Sequence, residues 1–180
     1  LFVCGFAKAV PVSEATKRHY LGWLADGGNA DMTYLQNNLD KRFDPRLLMS
    51  GVKTIVVLAL NYFPAHRLRE GEPQIADYAL GLDYHDIMKQ KLRQLAAGVG
   101  ITDYRAFVDT APVLERYWAV QAGLGWIGKN QQLIIPKAGS EFFLGELFIT
   151  VDLPPSEPTP NRCGTCHRCV DACPTHALCL

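Results

Sequence analysis

The chain reads as an α+β protein, helices packed on a mixed sheet, followed by a short cysteine-rich segment. Three observations carry that reading. A nearly unbroken apolar run at residues 54–62 and a further strand at 143–151 alternate with capped stretches of helical spacing. Four prolines within the eight residues Leu153 to Pro160 mark a stiff, extended linker. Beyond it, four thiols crowd into Cys163-Gly164-Thr165-Cys166-His167-Arg168-Cys169-Val170-Asp171-Ala172-Cys173-Pro174.

The elements follow in order. Leu1-Phe2-Val3 opens as a strand entered partway, so both ends of the chain are expected to be truncated. Ser13 caps a helix running to about Asp26, where Gly27-Gly28 ends it. A shorter helical piece carries Met32, Tyr34 and Leu35. The β-branched run at 54–62 suits a strand covered on both faces. Asp83 caps a helix from Tyr84 to Ala97, with Ile87, Leu92, Leu95 and Ala96 near helical spacing. Tyr104 to Val108 is a short strand, and Pro112 opens a helix over Val113 to Ala122. Gln132 to Ile135 and Phe143 to Val151 return to strand.

At 180 residues there is room for one sizeable core, or one domain with a small appendage. Apolar content of 48% and charged content of 20% are those of an ordinary soluble protein. Lys+Arg and Asp+Glu are equal at 18 each, so bulk charge gives no warrant for a nucleic-acid partner. No apolar run approaches the roughly 18–20 residues that cross a membrane; the longest is Thr54 to Leu60. The sequence does not open on Met, and no signal peptide is expected from its first residues. Clustered thiols with scattered Cys4 and Cys179 suit a reducing compartment, hence cytoplasm, and Cys4 is expected as a small buried residue.

The spacing C-x2-C-x2-C-x3-C-P is that of a bacterial iron–sulfur ligand run. In such a run Cys163, Cys166 and Cys169 hold one [4Fe–4S] cubane while Cys173 turns to another. A structural zinc site on Cys163 and Cys166 with Cys169, Cys173 or His176 competes, although zinc loops separate their ligand pairs further. Disulfides compete poorly, because C-x2-C-x2-C is strained when bridged.

Gly123-Leu124-Gly125-Trp126-Ile127-Gly128 fits G-x-G-x-x-G, and with Lys129-Asn130 nearly fits a Walker loop. Both nucleotide motifs need a strand before and a helix after, the reverse of the order here. A Gly-rich turn ending a helix, or a backbone lying against a flat ligand with Lys129 and Asn130 as polar contacts, remain. Asp109 follows a strand and precedes a helix, so it is either a cap, as Thr110 is, or an acid. Apolar flanks would bury it and raise its pKa from about 3.9, suiting it to donate a proton. Asp83-Tyr84-His85 reads as a helix start, Arg42 to Arg46 as an anion loop or solvated turn, and Tyr62, Met32 and Tyr34 as core.

Together the pieces resemble the epoxyqueuosine reductase family, iron–sulfur cobalamin enzymes that complete queuosine in tRNA. They are Gly28-Asn29-Ala30-Asp31-Met32-Thr33-Tyr34-Leu35, Asp44-Pro45-Arg46, Leu60-Asn61-Tyr62, Tyr78 through His85, Val108-Asp109-Thr110, Gly123 through Asn130, Gly145-Glu146-Leu147 and the cysteine run. The resemblance implies a nitroreductase-like cobalamin-binding domain over residues 1–152, the linker at 153–160, and at 161–180 the first half of a two-cluster ferredoxin-like domain. It implies that Asp109 is the proton donor, and that Met32, Tyr62, Asp83, Tyr84, His85, Lys129 and Asn130 lie around the corrin. It implies two [4Fe–4S] clusters, the second incompletely ligated here, a low-potential electron donor, a tRNA carrying epoxyqueuosine, and a monomer away from membranes. A reductive dehalogenase shares this plan, but such enzymes use a Tyr donor and an export signal. A bare electron carrier or zinc-stabilised module would not need the roughly 150 residues ahead of the cysteines.

Overall fold

The computed structural model describes residues 2–66, 68–69 and 71–178, so the expectations for Leu1 and Cys179 lie outside the described residues. Strand β1 (Phe2–Lys8) is followed by helix α1 (Glu14–Ala25), whose Ser13 cap accepts from the Thr16 N–H as the sequence implied. A 3₁₀ turn at Thr33–Gln36 and a short helix α2 (Leu39–Phe43) lead to β2 (Thr54–Asn61). Helix α3 (Tyr84–Gly98), β3 (Tyr104–Phe107) and helix α4 (Glu115–Gln121) come next. The hairpin β4 (Trp126–Ile127) and β5 (Leu133–Ile134), the long strand β6 (Phe142–Ile149) and the short helix α5 (Arg168–Asp171) complete the order.

The main sheet has strand order β1-β2-β6-β3. Every pairing in it is antiparallel, which corrects the expected mixed sheet. The apolar run of β2 allows that error: a strand covered on both faces looks the same whichever way its neighbours run. Residues Ile55, Val57 and Ala59 face one core with Trp118 and Ala119 of α4. Val56 faces the other, with Met88, Leu92 and Ala96 of α3. The layers are thus helix, sheet, helix, with α3 on one side and α4 on the other.

Two glycines let the helices approach. A Cβ on Gly5 would collide with the Ala122 carbonyl at the end of α4. One on Gly145 would meet Met88 Cε at 2.8 Å and Leu92 Cδ1 at 3.2 Å on α3. Helix α4 begins at Glu115, two residues later than expected, because Val113 N–H donates to the Ala111 carbonyl in a turn instead of opening the helix. Neither Asp109 nor Thr110 caps it; its cap is Leu114, with no side-chain bond. Cys4 is exposed on edge strand β1, not buried.

The proline-rich stretch forms no helix or strand, as its composition requires. It is nevertheless bonded to the sheet domain along its length. Leu153 N–H donates to Thr54 Oγ1, Phe6 N–H donates to Ser156 Oγ at 2.9 Å, and Thr159 Oγ1 donates to the Gly123 carbonyl at 2.6 Å.

Candidate active site

At one end of the sheet an aromatic ladder forms. Tyr62 leaves β2 and meets Phe143 of β6 at 4.6 Å between ring centroids. Phe143 stacks on Tyr84 at 4.2 Å with the rings 2° from parallel, and Tyr84 stacks on His85 at 4.0 Å. Tyr84 and His85 stand there because Asp83 caps α3 through the His85 N–H at 2.9 Å, as expected from the sequence. The ladder aligns Tyr62 with the Asp83-Tyr84-His85 turn across three elements.

The ladder ends on Asp109. Tyr84 donates its phenol hydrogen to Asp109 Oδ2 at 2.7 Å, and His85 Nε2 lies 3.3 Å from the same oxygen. The other ring nitrogen, His85 Nδ1, is 2.8 Å from Asp83 Oδ1. A ring with a carboxylate at each nitrogen favours the imidazolium, in which both nitrogens donate. The Asp83 bond, with a smaller contribution from Asp109, accordingly raises the His85 pKa. Burial first, then the Asp109 carboxylate, raises that of the Tyr84 phenol.

Asp109 itself is not buried: its side chain is 60% exposed, against the expectation drawn from its apolar flanks. The backbone explains this. Asp109 has φ +54°, and Thr110 N–H donates to the Val108 carbonyl at 2.6 Å, a γ-turn that throws the side chain outward. The buried acid lies behind it. Glu115, opening α4, accepts the Asp109 N–H on Oε1 at 2.5 Å, and its pKa is raised to about 7, chiefly by burial. Beneath is Glu146 of β6, fully buried opposite Phe107, both its oxygens without a hydrogen-bond partner among the described residues. Burial, then the charge of Glu115, raises its pKa well above the carboxylate range. Glu115 was not singled out from the sequence, where it is one more acid in the first turn of a helix.

The remaining expected residues divide. Met32 and Tyr34 are 42% and 61% exposed at the 3₁₀ turn, not core. Phe63 beside Tyr62, Tyr78 and Leu82 just ahead of Asp83 are also exposed large apolar side chains, so the ladder is flanked by uncovered apolar surface. The Gly-rich segment ends α4 in a tight turn: Gly123 has φ +72° and Leu124 N–H donates to the Ala119 carbonyl at 3.0 Å. A strand and not a helix follows, which removes the phosphate-loop readings. Asn130 turns its amide oxygen to the Gln132 N–H, bracing that loop. In the Arg42 to Arg46 stretch, Arg42 is buried over the Tyr20 ring and Arg46 is engaged by Asp44 at 2.7 Å.

The cysteine segment meets the Gly-rich loop. Trp126 Nε1–H donates to Cys163 Sγ at 3.3 Å. That bond, followed by one from the Lys129 backbone N–H, lowers the thiol's pKa. Cys163, Cys166, Cys169 and Cys173 are all free thiols. Cys166 N–H donates to the Cys163 carbonyl, and Cys169 rides on α5. Among the described residues no three metal-ligating side chains are gathered at metal-binding distance, so Lys129 and Cys163 meet while the thiols do not converge. No helix among the described residues is long and apolar enough to cross a membrane.

Comparison with known proteins places this arrangement. The family model described as "Epoxyqueuosine reductase QueG, DUF1730" matches residues 42–110. The epoxyqueuosine reductase of Cellulophaga algicola is 44% identical over 179 residues, covering 97% of this chain and 58% of that protein. The solved epoxyqueuosine reductase of Streptococcus thermophilus superposes with a TM-score of 0.86 at 33% identity, over 98% of this chain and 50% of that one. An epoxyqueuosine reductase crystallised with an epoxyqueuosine-modified tRNA-Tyr stem loop superposes equally well, TM-score 0.86 at 28% identity, over 98% of this chain and 48% of that one. The chain therefore spans about half to three-fifths of the proteins it matches, and by sequence and fold it belongs to the epoxyqueuosine reductase family.

Proposed function

We propose that this chain carries the reducing site of an epoxyqueuosine reductase, which converts the epoxide of the modified wobble base in tRNA to an alkene. The reaction takes up two electrons and two protons and releases the epoxide oxygen as water. The observation that carries the proposal is the exposed Asp109 carboxyl, held from one side by Tyr84 and His85 beside an aromatic ladder. Asp109 gives the leaving oxygen its proton, and His85, an imidazolium favoured by Asp83, stands within reach to restore it.

The residues fit a large flat cofactor, because the ladder of Tyr62, Phe143, Tyr84 and His85 is flanked by uncovered apolar side chains. Cobalamin, when bound, supplies the strong two-electron reductant that no side chain can. Met32, Tyr62, Asp83, Tyr84, His85, Lys129 and Asn130 would lie around it in a nitroreductase-like domain over residues 1–152. The cysteine donors fit [4Fe–4S] clusters by their chemistry: four free thiols in iron–sulfur spacing, one already accepting an indole N–H. Cys163, Cys166 and Cys169 would hold one cluster and Cys173 contribute to a second, in a ferredoxin-like segment at 161–180 beyond the 153–160 linker. The partners are a tRNA carrying epoxyqueuosine and an external low-potential donor, in a cytoplasmic monomer.

The test is nucleoside analysis of epoxyqueuosine tRNA after incubation with protein prepared without oxygen. Wild type yields queuosine. Asp109→Asn, with cobalamin absorption retained, is expected to slow turnover by at least about 100-fold, the usual worth of a positioned acid. Unchanged turnover in that variant removes Asp109 as the donor, and stoichiometric zinc without iron removes the cofactor reading.

A further inference from the structure

We propose that Glu115, with Glu146 beneath it, is a positioning residue: a proton-operated latch that holds the strained turn presenting Asp109. The proposal rests on Asp109 being the acid, and three observations lead to it.

First, the turn is strained. Asp109 has a positive φ and closes a γ-turn through the 2.6 Å bond from Thr110 N–H to the Val108 carbonyl. A non-glycine residue holds such a conformation only where its surroundings over-determine it. Second, one side chain does so. Glu115 Oε1 takes the Asp109 N–H at 2.5 Å. That N–H belongs to no helix or strand, and Glu115 is the side chain that ties it to the start of α4. Third, the latch sits on a second acid with nothing to neutralise it. Glu146 is fully buried with both oxygens unpartnered among the described residues, and its nearest ionisable influence is Glu115. Two carboxylates cannot both be charged there, so a proton stays on Glu146 while Glu115 titrates.

The groups facing Glu115 are Asp109 from the turn, His85 from the head of α3, Arg116 from its own helix and Glu146 from β6. The bond from the Asp109 N–H, then His85 and Arg116, favour ionisation of Glu115, and the Asp109 charge opposes it. Burial outweighs them, so the carboxyl passes from neutral to charged near pH 7. Above that pH the charged oxygen grips the Asp109 N–H; below it the bond weakens to an ordinary neutral one. Glutamine can imitate the grip at every pH, since its amide oxygen accepts the same N–H; alanine cannot.

The experiment follows the Asp109 backbone amide by NMR in ¹⁵N-Asp-labelled protein from pH 5 to 9. It needs no cofactor and no substrate, so it stands or falls separately from the activity. Wild type is expected to show a strongly downfield Asp109 amide proton that moves further downfield as pH rises, with a midpoint about one unit either side of 7. In Glu115→Gln only the smaller step that follows His85 through Asp109 Oδ2 remains, and in Glu115→Ala the signal moves upfield and exchanges with solvent at least about tenfold faster. Glu146→Gln, which keeps a neutral side chain beneath the latch, is expected to leave the wild-type midpoint in place. In the assay, Glu115→Ala loses kcat with KM little changed. Glu115→Gln restores it and flattens the pH profile, a rescue that loss of helix packing would not give. An Asp109 amide indifferent to pH in wild type, or unmoved in Glu115→Ala, overturns the latch. If the amide behaves as stated while the protein does not reduce epoxyqueuosine tRNA, the latch stands and the assignment of the reaction fails.

Discussion

Asp83, Tyr84, His85 and Asp109 make one electrostatic unit in which each group sets the next. The imidazole of His85 is held between two carboxylates, at 2.8 Å from Asp83 and 3.3 Å from Asp109. Its raised pKa means that the stabilisation from this arrangement is fully present below the ordinary His value of about 6.5 and is lost as pH rises through the raised one. Because the Asp83 bond is the largest cause, Asp83→Asn is expected to bring the His85 midpoint back toward that ordinary value in a ¹H–¹³C NMR titration. Asp109→Asn should move it less, and the reverse ranking would contradict the geometry. The aspartates, the tyrosine and the histidine could all be picked out from the sequence, because a cap residue and a strand-to-helix acid announce themselves by position. Glu115 could not. An acid in a first helical turn is ordinary dipole compensation, and only the fold shows that its oxygen reaches back six residues to Asp109. Asp109's exposure was also illegible, since apolar neighbours in sequence do not reveal a γ-turn.

Helix and strand identities followed from periodicity and caps, but the contacts that bring helices to the sheet did not. Asp83 and Ser13 gave α3 and α1 their starts within a residue. Pro112 misplaced α4, because a proline one turn early reads as a helix opener whether or not the chain first makes a separate turn. The register of Gly5 against the end of α4 is a tertiary fact. A methyl there would meet the Ala122 carbonyl, which cannot rotate away as a side chain would. Gly5→Ala must therefore lift α4 from β1 or shift the strand, at about 1–3 kcal/mol, the usual penalty for overpacking. For a chain of this size each kcal/mol lowers Tm by about 2–4 °C. Thermal unfolding is expected to fall by several degrees, and because α4 carries Glu115, the Asp109 turn should loosen with it. Gly22→Ala, on a helix face with open space around it, is the comparison and should be neutral or slightly stabilising. Equal Tm values for the two variants would mean that α4 does not rest on Gly5.

Across the whole molecule, α4 joins the acid end to the cysteine end. Its first residue holds the Asp109 turn, and Arg116 donates to the Gln131 carbonyl in the loop that follows the Gly-rich turn. That loop carries Trp126 and Lys129, both of which touch Cys163. Gly123 keeps the proline-rich stretch against the same loop, since a Cβ there would strike the Glu157 carbonyl. Composition predicted the extension of that stretch, but bonds such as Thr159 to Gly123 depend on where the sheet domain places its acceptors. The consequence is a defined hydrogen-bond environment for the first thiol of the cysteine run. A donor to a cluster thiolate favours the more negatively charged, reduced cluster and so raises its potential. Trp126→Phe keeps the ring and removes the N–H, leaving only the Lys129 backbone donor on Cys163. In protein reconstituted with iron and sulfide, EPR-monitored redox titration is expected to give a more negative midpoint for the cluster proposed on Cys163, at unchanged iron content. Lys129→Ala, whose backbone N–H remains, should leave the midpoint near wild type. If Trp126→Phe leaves it unmoved, the indole does not set that cluster's potential. If iron is lost instead, Trp126 acts by holding the cysteine loop against the sheet domain.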